Sequence, residues 1–258
     1  MDFAQQLVNG VQIGSVYALV AIGYTMVYGI AKMINFAHGD IIMVGSYVAL
    51  LFFQSSGLPV WGVIAATAAV SAVLGVTIER LAYKPLRGGS RMSALITTIG
   101  VSLMLQNGFL LIFGSSPKPF PNHFTGEGFT LGGVTVSRLT AITLVVTVVL
   151  MVLLTLFVNR TRVGKAMRAV SEDQGAAQLM GINIDTSISI TFAIGSALAA
   201  VAAVLYSSTY PLINPYMGSM LGLRAFIAAV IGGIGVIPGA MIGGFIIGIS
   251  EGLIKRYI

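Results

Sequence analysis

Residues 139–158 run for twenty positions without a charged side chain. Seven further apolar stretches mark the chain, at 7–29, 41–54, 59–79, 93–113, 187–210, 223–235 and 238–254. A helix needs about 20 mostly apolar residues to cross a hydrocarbon layer of ~30 Å. Within lipid, a helix keeps every backbone N–H and C=O satisfied inside its own segment. With eight such stretches in 258 residues, no length remains for a soluble domain. The expected fold is therefore all-α and polytopic, with seven or eight membrane segments in one transmembrane domain over residues 1–258. The second and seventh stretches are short for a full crossing, so they are expected to tilt or to turn back where protein shields the backbone.

Charged side chains make up 9% of the sequence, and the mean hydropathy is +0.94. The net charge of +6 suggests a nucleic-acid partner only until the positions are read. Residues 79–92 hold Arg80, Lys84, Arg87 and Arg91; residues 159–186 hold Arg160, Arg162, Lys165 and Arg168. Two spans separate these loops, so they share a face, and the excess of Lys and Arg makes that face cytoplasmic. The turn-rich loop 114–138 and the segment 211–222 then lie outside, and 31–40 lies on the cytoplasmic side. Lys255 and Arg256 fall outside in this scheme, against the trend. No cysteine is present, which rules out disulfides and thiolate metal sites. The start, Met1-Asp2-Phe3-Ala4-Gln5-Gln6, lacks the basic region of a removed signal peptide, so the first apolar stretch is expected to remain a span.

Residues 159–186 carry seven of the 22 charged side chains and cannot enter lipid. A polar loop of this size between two spans reads as a docking surface for a partner in water. Ser171 and Gln174 fit a capping box, which places Glu172 and Asp173 in a first turn favourable to negative charge. Gly181 is suited to the left-handed residue that closes a helix. These signals predict a helix from Glu172 to Met180, about 13 Å long at 1.5 Å per residue. Ala176, Leu179 and Met180 would form one small apolar face. So short a helix is marginal in water, so its own protein or a partner's groove must hold it. The competing reading is a solvated connector.

Phosphate-binding signatures are missing. Gly164-Lys165 continues into Ala166 instead of Ser or Thr, and the Gly233/Gly235 pair runs into Pro238. No catalytic centre, cofactor or metal site is expected; His38 and His123 lie on opposite sides in the scheme above. Asp2, Asp40, Glu79, Glu127, Glu172, Asp173, Asp185 and Glu251 read as loop or segment-edge residues, which argues against an ion relay inside the spans. Asp40 and Glu251 lie near segment ends and keep an ion-coupled secondary transporter or channel for small solutes open as the alternative. Glycines recur every four residues at 10 and 14, at 235, 239 and 243, and at 244, 248 and 252. Such stripes let helices approach closely, within the chain or against a second subunit.

Several motifs carry a resemblance. Gly175-Ala176-Ala177-Gln178-Leu179-Met180-Gly181 is similar to the Glu-Ala-Ala-x-x-x-Gly coupling motif of ABC-importer permeases, with Gly175 in place of the leading Glu. Gly14-Ser15-Val16-Tyr17-Ala18-Leu19 precedes Ile34-Asn35-Phe36-Ala37-His38-Gly39-Asp40. Residues 79–87 precede Ile96-Thr97-Thr98-Ile99-Gly100, and 226–235 lead into Ile237-Pro238-Gly239. In this order, over nearly the whole chain, they resemble the LivH-type permeases of branched-chain amino acid ABC importers. The resemblance implies a multi-pass subunit of a bacterial inner membrane that moves leucine, isoleucine, valine or related small amino acids and amides. The resemblance also implies that the chain is not itself an enzyme. It implies as partners the lipid bilayer, a second homologous permease, two cytoplasmic ATP-binding subunits and a periplasmic or lipid-anchored substrate-binding protein, with no nucleic acid. Coupling to the ATPase would fall to Ser171, Glu172, Asp173, Gly175, Ala176, Ala177, Leu179, Met180 and Gly181. Members usually continue into a further apolar helix, so the family's final C-terminal helix is expected to be absent here.

Candidates for the substrate path are polar residues in or beside spans: Asn9, Gln12, Tyr17, Gln106, Asn107, Tyr206 and Asn214. Asn35, His38 and Asp40 join them as gate or pathway lining, or else form a hydrogen-bonded turn near the cytoplasmic surface.

Overall fold

The computed structural model describes residues 2–257 except 88, 122, 125, 127, 132 and 133. Helices dominate: α1 (Asp2–Ala31), α2 (His38–Ser55), α3 (Val60–Ile78), α4 (Arg91–Phe113), α5 (Arg138–Arg160), α6 (Arg162–Glu172), α7 (Gln174–Leu179), α8 (Ile184–Thr209), α9 (Met217–Gly232) and α10 (Ile237–Tyr257). Each apolar stretch in the sequence forms one helix. Among the described residues, six of them are long and apolar enough to cross a membrane, namely α1, α3, α4, α5, α8 and α10. The short stretches became α2, of 18 residues, and α9, of 16. Two short antiparallel pairs, β1 (Lys118–Pro119) with β4 (Leu212–Ile213) and β2 (Phe129–Leu131) with β3 (Val134–Val136), fasten loops without altering the all-α class.

Two helices form the centre. α1 and α8 are nearly enclosed, with α1 against α5, α8, α9 and α10, and α8 also against α2 and α3. Lipid offers no hydrophobic drive for helix association, so close backbone packing has to supply it. The α1–α10 seam does so with glycine. A Cβ at Gly10 would lie 2.7 Å from Ile249 Cα, and one at Gly14 would lie 3.0 Å from Phe245 Cα. From the other side, a Cβ at Gly248 would run into Gly14, and one at Gly244 into Ala18. The glycine stripes at 10/14 and 244/248/252 therefore pack within the chain.

The two ends of the bundle are fixed by long-range contacts. At one end, Gln5 exchanges two hydrogen bonds of 2.9 Å with the backbone of Thr135, and β1 pairs with β4. At the other end, Lys84 Nζ lies 2.6 Å from Asp185 Oδ2, joining the two basic loops. The loops therefore group as the charge pattern requires, and the positive-inside rule assigns the basic end to the cytoplasm. Lys255 lies at the opposite end, 2.7 Å from Glu251 Oε1, where a carboxylate offsets its charge.

Residues 35–38 form a hydrogen-bonded turn, with His38 N donating to the Asn35 carbonyl at 3.2 Å, but the turn lies inside the bundle and not at its surface. Lys32 takes a left-handed φ of 54° and turns the chain back, and Asn35, His38 and Asp40 are at most 1% exposed. α2 starts inside the bundle because Gly39 meets α9 backbone to backbone; a Cβ there would lie 2.9 Å from Gly222 Cα and overlap Gly218.

Candidate functional site

The polar loop folds as two short helices. α6 follows α5 after Thr161, whose hydroxyl oxygen accepts from Gly164 N at 3.0 Å. Gly164, Met167 and Val170 are buried at three-residue spacing, while Arg162, Lys165 and Arg168 face water. This amphipathic stripe lays α6 along the end of the bundle. The helix ends at Asp173, which is extended (φ −150°, ψ 112°) and accepts from Ala176 N at 3.0 Å, making it the N-cap of α7. The single helix expected from Glu172 to Met180 is thus broken at Asp173. The Ser171–Gln174 capping box does not form, because Ser171 lies in the last turn of α6 and its hydroxyl donates to the Arg168 carbonyl at 2.7 Å. Aspartate is among the strongest N-cap residues and takes that role instead.

The far end of α7 follows the expectation. Gly181 adopts φ 79°, and Ile182 N donates to Ala177 O at 3.0 Å, closing the helix. Asn183 Oδ1 accepts from Thr186 N at 3.0 Å and caps α8. Six residues cannot sustain a helix alone; here two caps and the buried Ala177, 3% exposed, hold it. Glu172, Gly175 and Ala176 are exposed, and Leu179 and Met180 are 90% and 81% exposed. Two large apolar side chains thus stand in water on a rigid tip, a pattern that marks interaction sites.

Beside this tip lies a knot of charge. Glu79 is fully buried, and its carboxylate accepts from Ser189 Oγ at 2.6 Å. Arg87 pairs with Glu79 and with Asp185. On the other side of α6, a cleft of about 500 Å³ opens between α1, α5 and the 234–238 turn, lined in part by Thr25, Lys32, Arg168, Glu172 and Gly235.

The interior polar residues fall into separate groups. Gln106 Nε2 donates to Asp40 Oδ1 at 2.9 Å and lies 2.8 Å from Ser219 Oγ, linking α2, α4 and α9. Nearby, the Tyr24 ring meets His38 edge-on at 4.6 Å. The Asn35 amide, His38 Nε2, Asp40 Oδ2 and Thr25 Oγ1 are buried with no hydrogen-bond partner among the described residues. Gln12 joins three helices, accepting from Thr140 Oγ1 at 2.7 Å and donating to Thr209 Oγ1 at 3.2 Å. Tyr17 donates to Glu251 at 2.6 Å, and Arg224 Nη1 donates to both Tyr17 (2.8 Å) and Glu251 (2.9 Å). The Tyr206 ring lies tilted against that of Tyr210, with centroids 5.0 Å apart.

Three candidates stand apart from these groups. Asn9 bonds within its own helix, Asn107 faces outward on α4 and donates to Leu103 O, and Asn214 shapes the outer turn before α9. The reading of the acidic residues also needs correction. Asp40 and Glu79 are enclosed, and Glu251 is mostly so; Glu127 lies outside the described residues. Sequence reasoning also missed Arg224, a lone cation inside the apolar run of α9, although its isolation among apolar neighbours was a signal.

Comparisons with known proteins identify the family. Residues 6–258 match the family described as branched-chain amino acid transport system / permease component. The chain is 48% identical to the high-affinity branched-chain amino acid transport system permease protein BraD of Pseudomonas aeruginosa, over 96% of this chain and 85% of that one. It is 46% identical to the corresponding permease protein LivH of Escherichia coli, over 99% and 87% of the two chains. A probable branched-chain amino acid transport permease of Methanocaldococcus jannaschii is 33% identical over 93% and 77%. With its polytopic helical bundle and this likeness along nearly its full length, the chain belongs to the family of branched-chain amino acid transport permeases.

Proposed function

We propose that residues 1–258 act as one permease domain in a bacterial inner membrane, forming half of the channel of an ABC importer for leucine, isoleucine and valine. A second homologous permease supplies the other half. Two cytoplasmic ATP-binding subunits hydrolyse ATP, and a periplasmic or lipid-anchored binding protein delivers the substrate. α7 docks in a cleft of an ATP-binding subunit through Leu179 and Met180, with Ser171, Glu172, Asp173, Gly175, Ala176, Ala177 and Gly181 shaping the lever around that tip. The observation that carries this reading is the exposure of those two apolar side chains on a helix capped at both ends.

Closure of the ATPase dimer displaces α7, and through α6 and α8 the movement reaches the spans. Gln12, Tyr17, Asn35, His38, Asp40 and Tyr206 are proposed to line the substrate path; support comes from their placement on α1 and α8 and in the buried turn and first residues of α2. The geometry gives less support to Asn9, Asn107 and Asn214. Uptake of radiolabelled leucine by cells carrying the assembled importer tests the reading. Vanadate is expected to abolish uptake while an uncoupler leaves it intact; the reverse pattern would make the chain an ion-coupled carrier.

A further inference from the structure

The lever reading leaves the buried charge knot at the basic end without a task. We infer that Arg87 is a second coupling residue, which clamps the first basic loop and the end of α3 onto α8 so that a push on α7 moves both helices together. The inference rests on the lever reading.

Four residues separate the tip at Met180 from Asp185, and hydrogen bonds leave them little slack. Gly181 and Ile182 close α7 onto Gln178 and Ala177, and Asn183 caps α8. A displacement of the tip therefore reaches Asp185 with little loss. The Asp185 side chain is half exposed, and an exposed ion pair alone contributes little. Arg87, however, has its other arm in the interior, on Glu79, whose side chain is 1% exposed. Separating that pair would strand a buried carboxylate, so Arg87 and Glu79 move as a unit.

Glu79 also accepts from Ser189, four residues along α8 from Asp185 and on the same face. The knot thus grips α8 at two successive turns. Further along, the Tyr83 ring lies 5.0 Å from the Phe192 ring, and a Cβ at Gly75 of α3 would overlap Ser196. Positions 185, 189, 192 and 196 form one continuous stripe on α8 facing α3 and its extension. The chain between Glu79 and Arg87 leaves regular helix for a π turn (Glu79–Tyr83) and then a 3-10 turn (Lys84–Leu86). Such departures often mark functional sites, and this one aims Lys84 and Arg87 at a single carboxylate.

The test uses the assembled importer in proteoliposomes with Arg87→Lys and, separately, Asp185→Asn. Lysine keeps a charge on Glu79 but, as a compact point charge, cannot replace the guanidinium fork that spans two carboxylates. Both variants are expected to copurify with the ATP-binding subunits and to keep basal ATP hydrolysis. Stimulation by substrate-loaded binding protein is expected to fall on the order of tenfold, within the usual span of coupling effects. Leucine uptake should fall with it. Wild-type stimulation in either variant overturns the inference, as does loss of ATPase copurification in either, which would make the knot an assembly element. The lever reading has its own control: if Leu179→Asp leaves copurification and uptake unchanged, that reading fails whatever the Arg87 variants do.

Discussion

The α1–α10 seam and the α6–α7 lever solve the same problem, holding one helix against another, with almost no chemistry in common. Along the seam, glycines bring two backbones together, Gly10 and Gly14 on one side and Gly244, Gly248 and Gly252 on the other, alongside a Tyr17–Glu251 hydrogen bond of 2.6 Å. At the lever, the same chain uses caps from Thr161, Asp173 and Asn183, and ion pairs from Lys84 and Arg87. The surroundings account for the difference. In lipid, apolar side chains gain nothing by leaving their solvent, so close van der Waals contact decides association. In water, unpaired N–H groups at helix ends and the instability of short helices are the obstacles, and caps answer both.

That contrast can be broken at graded points. The largest effect is expected at the seam: Gly248→Leu drives a side chain into the Gly14 backbone and should abolish recovery of folded protein, read by size-exclusion chromatography in detergent. A folded Gly248→Leu protein would show that close approach is not what holds α10. Next comes the tip. The double variant Leu179→Asp, Met180→Asp should fold normally yet lose most ATPase copurification, because both side chains face water. Ala177→Arg is a poorer probe, since Ala177 is 3% exposed and the change would unseat α7 itself.

Smaller effects should separate the two chemistries. Asp173→Ala removes the N-cap of α7, which costs about 1 kcal/mol of local stability; faster proteolysis between α6 and α8 would report it. The smallest effect should come from Ser207→Ala, which deletes a 2.8 Å hydrogen bond to Ser46 between α8 and α2. Interhelical hydrogen bonds of this kind average about 0.6 kcal/mol in membranes. A denaturant titration in mixed micelles showing a larger loss for Ser207→Ala than for Asp173→Ala would invert the comparison.

How much was legible differs by region for physical reasons. The helices could be read because a segment in lipid must satisfy its own backbone, so each apolar stretch had one outcome. The shared face of the two basic loops was readable for a similar reason, since Lys and Arg positions report orientation; the Lys84–Asp185 pair joins those loops. The lever was half legible. Gly181 closed α7 as its backbone freedom suggested, but Ser171 and Asp173 competed for one cap, and local sequence could not rank them. Asp40, Glu79 and Glu251 looked like edge residues because distance from a segment end along the chain does not measure depth once the chain turns back.

By itself the sequence determined where the apolar helices lie, the grouping of the loops and the family, all properties that depend on neighbours along the chain or on residues read one at a time. The tertiary structure alone decided that α2 begins inside the bundle, that Arg224 meets Glu251 and Tyr17, and that Arg87 joins Glu79 to Asp185. Each of these rests on side chains from different helices meeting at one depth and rotation. Hydrophobic periodicity within a single helix carries no record of which neighbour it will face.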